Sequence, residues 1–138
     1  MKKHTATLLI LMLVALAGLA SAQTRTVVKA NVPFAFVANG KTMPAGECTI
    51  EVQGNGQTIL LINSGAKHVF ATSNASESSK SSDKTSLVFH RYGDRYFLAA
   101  INRQGERRGY ELPVGSLEVE LRAQNVVESD LTLLASAK

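Results

Sequence analysis

Few side chains in this sequence could carry chemistry. Beyond His4 near its start, the chain holds two histidines, His68 and His90, and one cysteine, Cys48. A cysteine nucleophile needs an imidazole to stabilise its thiolate and a third group to orient that imidazole. Cys48 instead shares one face of Cys48-Thr49-Ile50-Glu51-Val52 with Ile50 and Val52, where a free thiol behaves as a small hydrophobe. A metal centre needs several ligands at suitable spacing. Cys48, His68 and His90 fall on three separate expected strands, and nothing in their spacing draws them together. His90 and Asp94 flank Tyr92-Gly93, with Arg91 and Arg95 alongside. A general acid–base pair could be built there, but alternating charges beside a hairpin turn also mark solvated faces and cross-strand pairs. Gly54-Asn55-Gly56 lacks the spacing and the following helix of a phosphate-cradling loop, and no Gly-x-Ser-x-Gly elbow occurs. The sequence therefore assigns no catalytic residue, no metal ligand and no cofactor. His68, His90, Arg91, Tyr92, Asp94 and Arg95 remain as candidates for ligand or interaction contacts.

The start of the chain has the form of an export signal. Met1-Lys2-Lys3-His4 precedes an apolar run from Leu8 to Ala17, and Ala20-Ser21-Ala22 supplies the small-residue pattern that signal peptidase accepts. Cleavage is expected between Ala22 and Gln23. The apolar run is too short before Gly18 for a spanning helix, which wants about 20 apolar residues, so no stable membrane anchor is expected after cleavage. Neither a lipoprotein cysteine nor a twin-arginine pair is present. The expected destination is the periplasm or the cell exterior.

Composition narrows the classes further. Residues 23–138 suffice for one small domain. Lys2 and Lys3 leave with the signal, which halves the net charge of +4 and removes any motive for a nucleic-acid or anionic-membrane partner. The dense basic spot, Arg103-Gln104-Gly105-Glu106-Arg107-Arg108, reads as a solvated turn between structured segments. The lone Cys48 forms no intramolecular disulfide in spite of an oxidising destination, so stability must come from a core of Val, Ile and Leu.

Along the mature chain, strand-like runs alternate with turn signals roughly every eight to twelve residues, the rhythm of an all-β sandwich or barrel. Thr26 to Val37 reads as one strand, with Phe34 and Phe36 on one face and Pro33 marking an edge or a bulge. Asn39-Gly40 is a hairpin signal, and Pro44-Ala45-Gly46 a second turn. Thr58 to Ile62 and Lys67 to Thr72 follow as strands, the latter placing His68 and Phe70 opposite Val69 and Ala71. Serine-rich residues 73–86 read as a flexible loop. Leu87 to Tyr92 and Arg95 to Ile101 form a hairpin about Gly93-Asp94, its second strand apolar on both faces. That strand requires cover from a second sheet, a helix or another subunit. Leu117 to Gln124, capped by Gly115 or Ser116, is favoured as a helix with Leu117 and Leu121 on one face and Glu118 paired with Arg122. Leu-Glu-Val-Glu-Leu also alternates as a strand. Leu131 to Leu134 could make a last strand. The expected fold is mainly β: a small antiparallel sandwich or partly closed barrel with one short C-terminal helix.

Val32-Pro33-Phe34-Ala35-Phe36-Val37, Asn39 to Glu47, Phe89 to Phe97 and Glu111-Leu112-Pro113 resemble blocks of a family of small exported bacterial proteins without assigned function. These blocks are turns and strand cores, so the resemblance implies a fold rather than an activity, and no catalytic residue follows from it. Cys48 stands where that pattern has an aromatic residue, which fits a small buried substitute. The leading expectation is an exported, non-enzymatic β domain that acts by binding or as a structural or interaction module. Its double-sided hairpin 87–101 would suit self-association or an envelope protein. The alternatives are a small-ligand carrier barrel gated by the serine-rich loop, and a small hydrolase or redox protein using Cys48 or His90.

Overall fold

A computed structural model describes residues 25–53 and 58–137. The expected signal segment and the Gly54-Asn55-Gly56 turn lie outside the described residues. The strands are β1 (Thr26–Val32), β2 (Phe36–Ala38), β3 (Lys41–Met43), β4 (Gly46–Gln53), β5 (Thr58–Ser64), β6 (Lys67–Glu77), β7 (Ser86–Tyr92), β8 (Arg95–Asn102), β9 (Arg108–Glu111), β10 (Glu128–Leu134) and β11 (Ser136–Ala137). Among the described residues one helix, α1 (Ser116–Ala123), sits between β9 and β10.

Hydrogen bonding runs in the order β10-β7-β8-β9-β6-β5-β4-β1-β11. The long strand β6 carries the pairing across: its residues 67–73 pair with β5, and Asn74 to Glu77 pair with β9. The mixed sheet folds over on itself as a small sandwich. Val28, Ile50, Leu60 and Ile62 from one half share a cluster with Phe36, Phe89, Leu98 and Ile101 from the other. The sheet is not closed into a barrel. Its terminal strands β10 and β11 are joined only through Ala135, whose N–H goes to Thr85 O instead of a neighbouring strand. The interior is filled by these side chains, so the carrier-barrel expectation loses the lumen it needs.

Local sequence explains most elements. Asn39 and Gly40 both take positive φ, 47° and 76°, the mirror-image turn that matches strand twist, and they join β2 to β3. The Thr26–Val37 segment is two strands rather than one. Pro33 has no N–H to offer a ladder, the chain breaks there, and β1 lies inside the sheet between β4 and β11 instead of at an edge. Beyond the break, Phe34 and Phe36 both meet the Phe89 ring edge-on, at 5.2 Å and 5.4 Å.

The β7–β8 hairpin has the expected turn, with Gly93 at φ 60°. Between Val88 and Phe89 the register against β8 shifts. Residues three apart on a regular strand face opposite sides, but this bulge lets Leu98 and Ile101 both enter the core. Phe97 and Ala99 are buried outside that cluster. The hairpin's apolar side chains are thus covered within one chain, which removes the motive for a partner through residues 87–101.

The serine-rich segment is shorter as a loop than expected. Strand β6 runs on through Glu77 because its backbone finds β9, leaving residues 78–85 between strands. Even these are tied to the basic turn: Ser78 and Ser82 N–H donate to Arg107 O and Glu106 O, both at 2.9 Å. That turn joins β8 to β9, as the sequence implies.

Candidate functional site

Strand alternation gives the second half of the sheet a polar outer face. On β7, Phe89 points into the core while His90 and Tyr92 point away from it. On β10, Leu131 and Leu133 pack against the core while Glu128 and Asp130 stand opposite Tyr92 and His90 in register. Helix α1 lies over this face. It starts at Gly115 without a side-chain cap. It ends in a two-bond C-terminal motif, with Asn125 N–H to Arg122 O, Val126 N–H to Leu121 O, and Asn125 at φ 54°. That turn delivers the chain directly to Glu128.

The helix meets the sheet through charge. Glu118 is the buried residue of α1. Its Oε1 lies 2.6 Å from His90 Nδ1, and the Tyr92 hydroxyl donates to the same oxygen at 3.1 Å. Arg122, one turn on, donates from Nε to the Tyr92 oxygen at 2.7 Å and from a terminal nitrogen to Glu128 at 3.0 Å. Burial pushes the Tyr92 hydroxyl above its ordinary range; the Arg122 hydrogen bond opposes this and the Glu118 charge adds to it. The bond to Tyr92 raises Arg122 further, so it stays a fixed cation. A carboxylate can only accept, so His90 Nδ1 is the donor in that contact. Beneath, the Phe97 ring meets Tyr92 edge-on at 5.6 Å.

Leu117 and Leu121 share a helix face, as expected, but it is Glu118 that the helix buries. Leu117 is 38 % exposed and Val119 55 %, while Glu118 and Arg122 turn to the sheet. The cause is the outer face itself, which offers an imidazole and a hydroxyl to a helix placed over them.

Of the six candidate residues, His90 and Tyr92 belong to this network. Asp94 and Arg95 sit at the hairpin turn and line a polar hollow with Leu117, Leu121 and Gln124; the partner of His90 is Glu118 rather than Asp94. Arg91 faces the other way, its Nε donating to Gly93 O at 2.8 Å and its guanidinium 5.6 Å from the Tyr96 ring. His68 is exposed on β6, on the other half of the sheet, edge-on to Phe70. Cys48 is buried, and burial pushes its thiol up to about 12, which withholds the thiolate a nucleophile requires.

Sequence reasoning did not single out Glu128 or Asp130, and it treated Glu118 and Arg122 only as a helical pair. The available signal was Glu128-Ser129-Asp130-Leu131-Thr132-Leu133, whose later residues alternate apolar and polar as a half-buried strand does.

A second polar feature lies at the far end of β7 and β8. Ser76, Ser78, Ser82, Asn102 and Arg107 line a hollow of about 580 Å³ together with Lys80, Asp83 and Glu106. Hydroxyl, amide and charged groups of both signs converge there. No helix among the described residues is long and apolar enough to cross a membrane. No family model, curated protein or solved structure matches this chain.

Proposed function

We propose that this protein is an exported, non-enzymatic β domain whose work is to bind a small hydroxyl-rich ligand in the hollow beside the serine-rich segment. The observation that carries the reading is the composition of that hollow, in which serine hydroxyls and the Asn102 amide stand among Lys80, Arg107, Asp83 and Glu106. Such a lining offers both donors and acceptors, as a ligand with many hydroxyls demands, and its mixed charges discourage a polyanion. Export is supported by the lysine-led start, the short apolar run and Ala20-Ser21-Ala22.

The test is to express the whole chain in a bacterial host and collect it from outside the cytoplasm, where a mass beginning at Gln23 is expected. The product is then titrated with neutral di- to tetrasaccharides while amide resonances are followed, with heparin as the polyanionic control. Saturable shifts grouped at Ser76 to Ser82, Asn102 and Arg107 support the reading. Retention in the cytoplasm would remove the export half. No saturable shift at that hollow, or a response to heparin alone, would remove the binding half.

A further inference from the structure

The geometry points to a surface site for a divalent first-row transition metal, made by His90, Glu128 and Asp130 with Glu118 as the carboxylate behind the histidine. One ligand atom from each of the three lies within 4.8 Å of the other two. Asp130 is directly opposite His90 in the β7–β10 register, and Glu128 is opposite Tyr92. All three therefore project from one face of two paired strands.

The histidine is the decisive member. Its Nδ1 is taken by the buried Glu118, at 2.6 Å. Its Nε2 makes no hydrogen bond among the described residues and has the Glu128 carboxylate 3.7 Å away. Metal-ligating histidines are held in this way, with one ring nitrogen donating to a carboxylate that fixes the tautomer while the other faces the ion. Glu118 is itself held by the Tyr92 hydroxyl, so the ring is oriented before any ion arrives. Donors on one zinc ion sit about 3–3.5 Å apart. Glu128 and Asp130 are exposed and can close the remaining gap by side-chain rotation. Two carboxylates neutralise a divalent cation, and one imidazole with two oxygens suits zinc or manganese better than a thiolate-seeking ion. Arg122, 3.0 Å from Glu128, is the counter-ion an entering metal displaces. Its terminal nitrogen can release Glu128 while its Nε keeps the Tyr92 hydroxyl.

The site is tested by calorimetric titration of untagged, EDTA-stripped mature chain with Zn²⁺, with ring ¹⁵N resonances of the histidines recorded in parallel. One saturable site is expected, with the ion's effect on His90 Nε2 and none on His68. Asp130→Asn should abolish binding and leave the urea midpoint unchanged, since that exposed side chain makes no ion pair among the described residues. Glu118→Gln should weaken binding about tenfold or more. The assignment is overturned if the titration does not saturate, if Asp130→Asn binds as the parent does, or if the shift falls on His68. In any of those cases His90 is only an imidazole bridging two carboxylates.

Discussion

Cys48 is the residue whose type promised most and whose setting allows least. Its alternation with Ile50 marked it as inward-facing, and the structure buries it against Ala30 and Ser64 as strand neighbours. The consequence is measurable as a dependence of stability on pH. The folded thiol keeps its proton up to about 12, against an ordinary value of 9.0. Between those values the unfolded chain binds fewer protons than the folded one, so stability falls as pH rises. The slope approaches about 1.4 kcal/mol per pH unit. Tyr92, also raised by burial, adds loss of the same sign above its own ordinary range. The Cys48 share is therefore the difference between the parent and Cys48→Ala in urea unfolding at pH 8 and pH 10. The parent should lose more stability over that interval, and its thiol should react with a disulfide reagent only on unfolding. Equal losses, or a thiol titrated in the native state, would place Cys48 outside the core.

At the scale of elements, helix α1 shows where pattern reading succeeds and where it stops. The Glu118–Arg122 spacing favoured a helix over the strand that Leu117 to Leu121 could equally make, and the helix forms. Which face it buries was not legible, because the answer lies on another element: His90 and Tyr92 of β7 recruit Glu118, and Leu117 is left in solvent. Periodicity finds apolar stripes and is blind to a carboxylate with two waiting donors. The length of β6 was hidden for a similar reason. Its polar end is a strand only because β9 pairs with it. Since α1 docks through Glu118, Glu118→Ala leaves His90 Nδ1 and the Tyr92 hydroxyl without their acceptor beneath a helix. The expected cost is about 1–3 kcal/mol, with amide exchange across residues 116–123 accelerating first. Val119→Ala, on the exposed side, should stay within about 0.5 kcal/mol. If the two variants unfold alike, the helix is held by something other than this network.

On the scale of the whole molecule, the turns and strand cores were readable because they are local: Asn39-Gly40, Gly93 and the alternation of β4 each declare themselves within a few residues. The folding-over of the sheet was not, because it depends on which distant strand each edge finds. The last segment is the clearest case. β10 pairs with β7 while β11, one residue further on, pairs with β1 at the other end of the order. One stretch of chain thus covers both open edges, and Leu131, Leu133 and Ala135 pack against the shared core as it passes. Unpaired edges invite association with other chains, so this segment guards solubility as well as stability. Chains ending at Val127 and at Leu134 separate its two parts. The shorter chain loses both strands and several partly buried apolar side chains, worth about 1.5–3 kcal/mol each at full burial. Against a total of about 5–15 kcal/mol for a domain, that loss should abolish cooperative unfolding or drive the chain into aggregates. The longer chain keeps β10; it loses Ala135 with its bond to Thr85 O and the β11 residues paired at Val28 and Lys29, and should still unfold cooperatively at a lower urea midpoint. A chain ending at Val127 that unfolds at the parent's midpoint would mean that the two halves hold together through β6 alone, with the C-terminal segment merely resting on them.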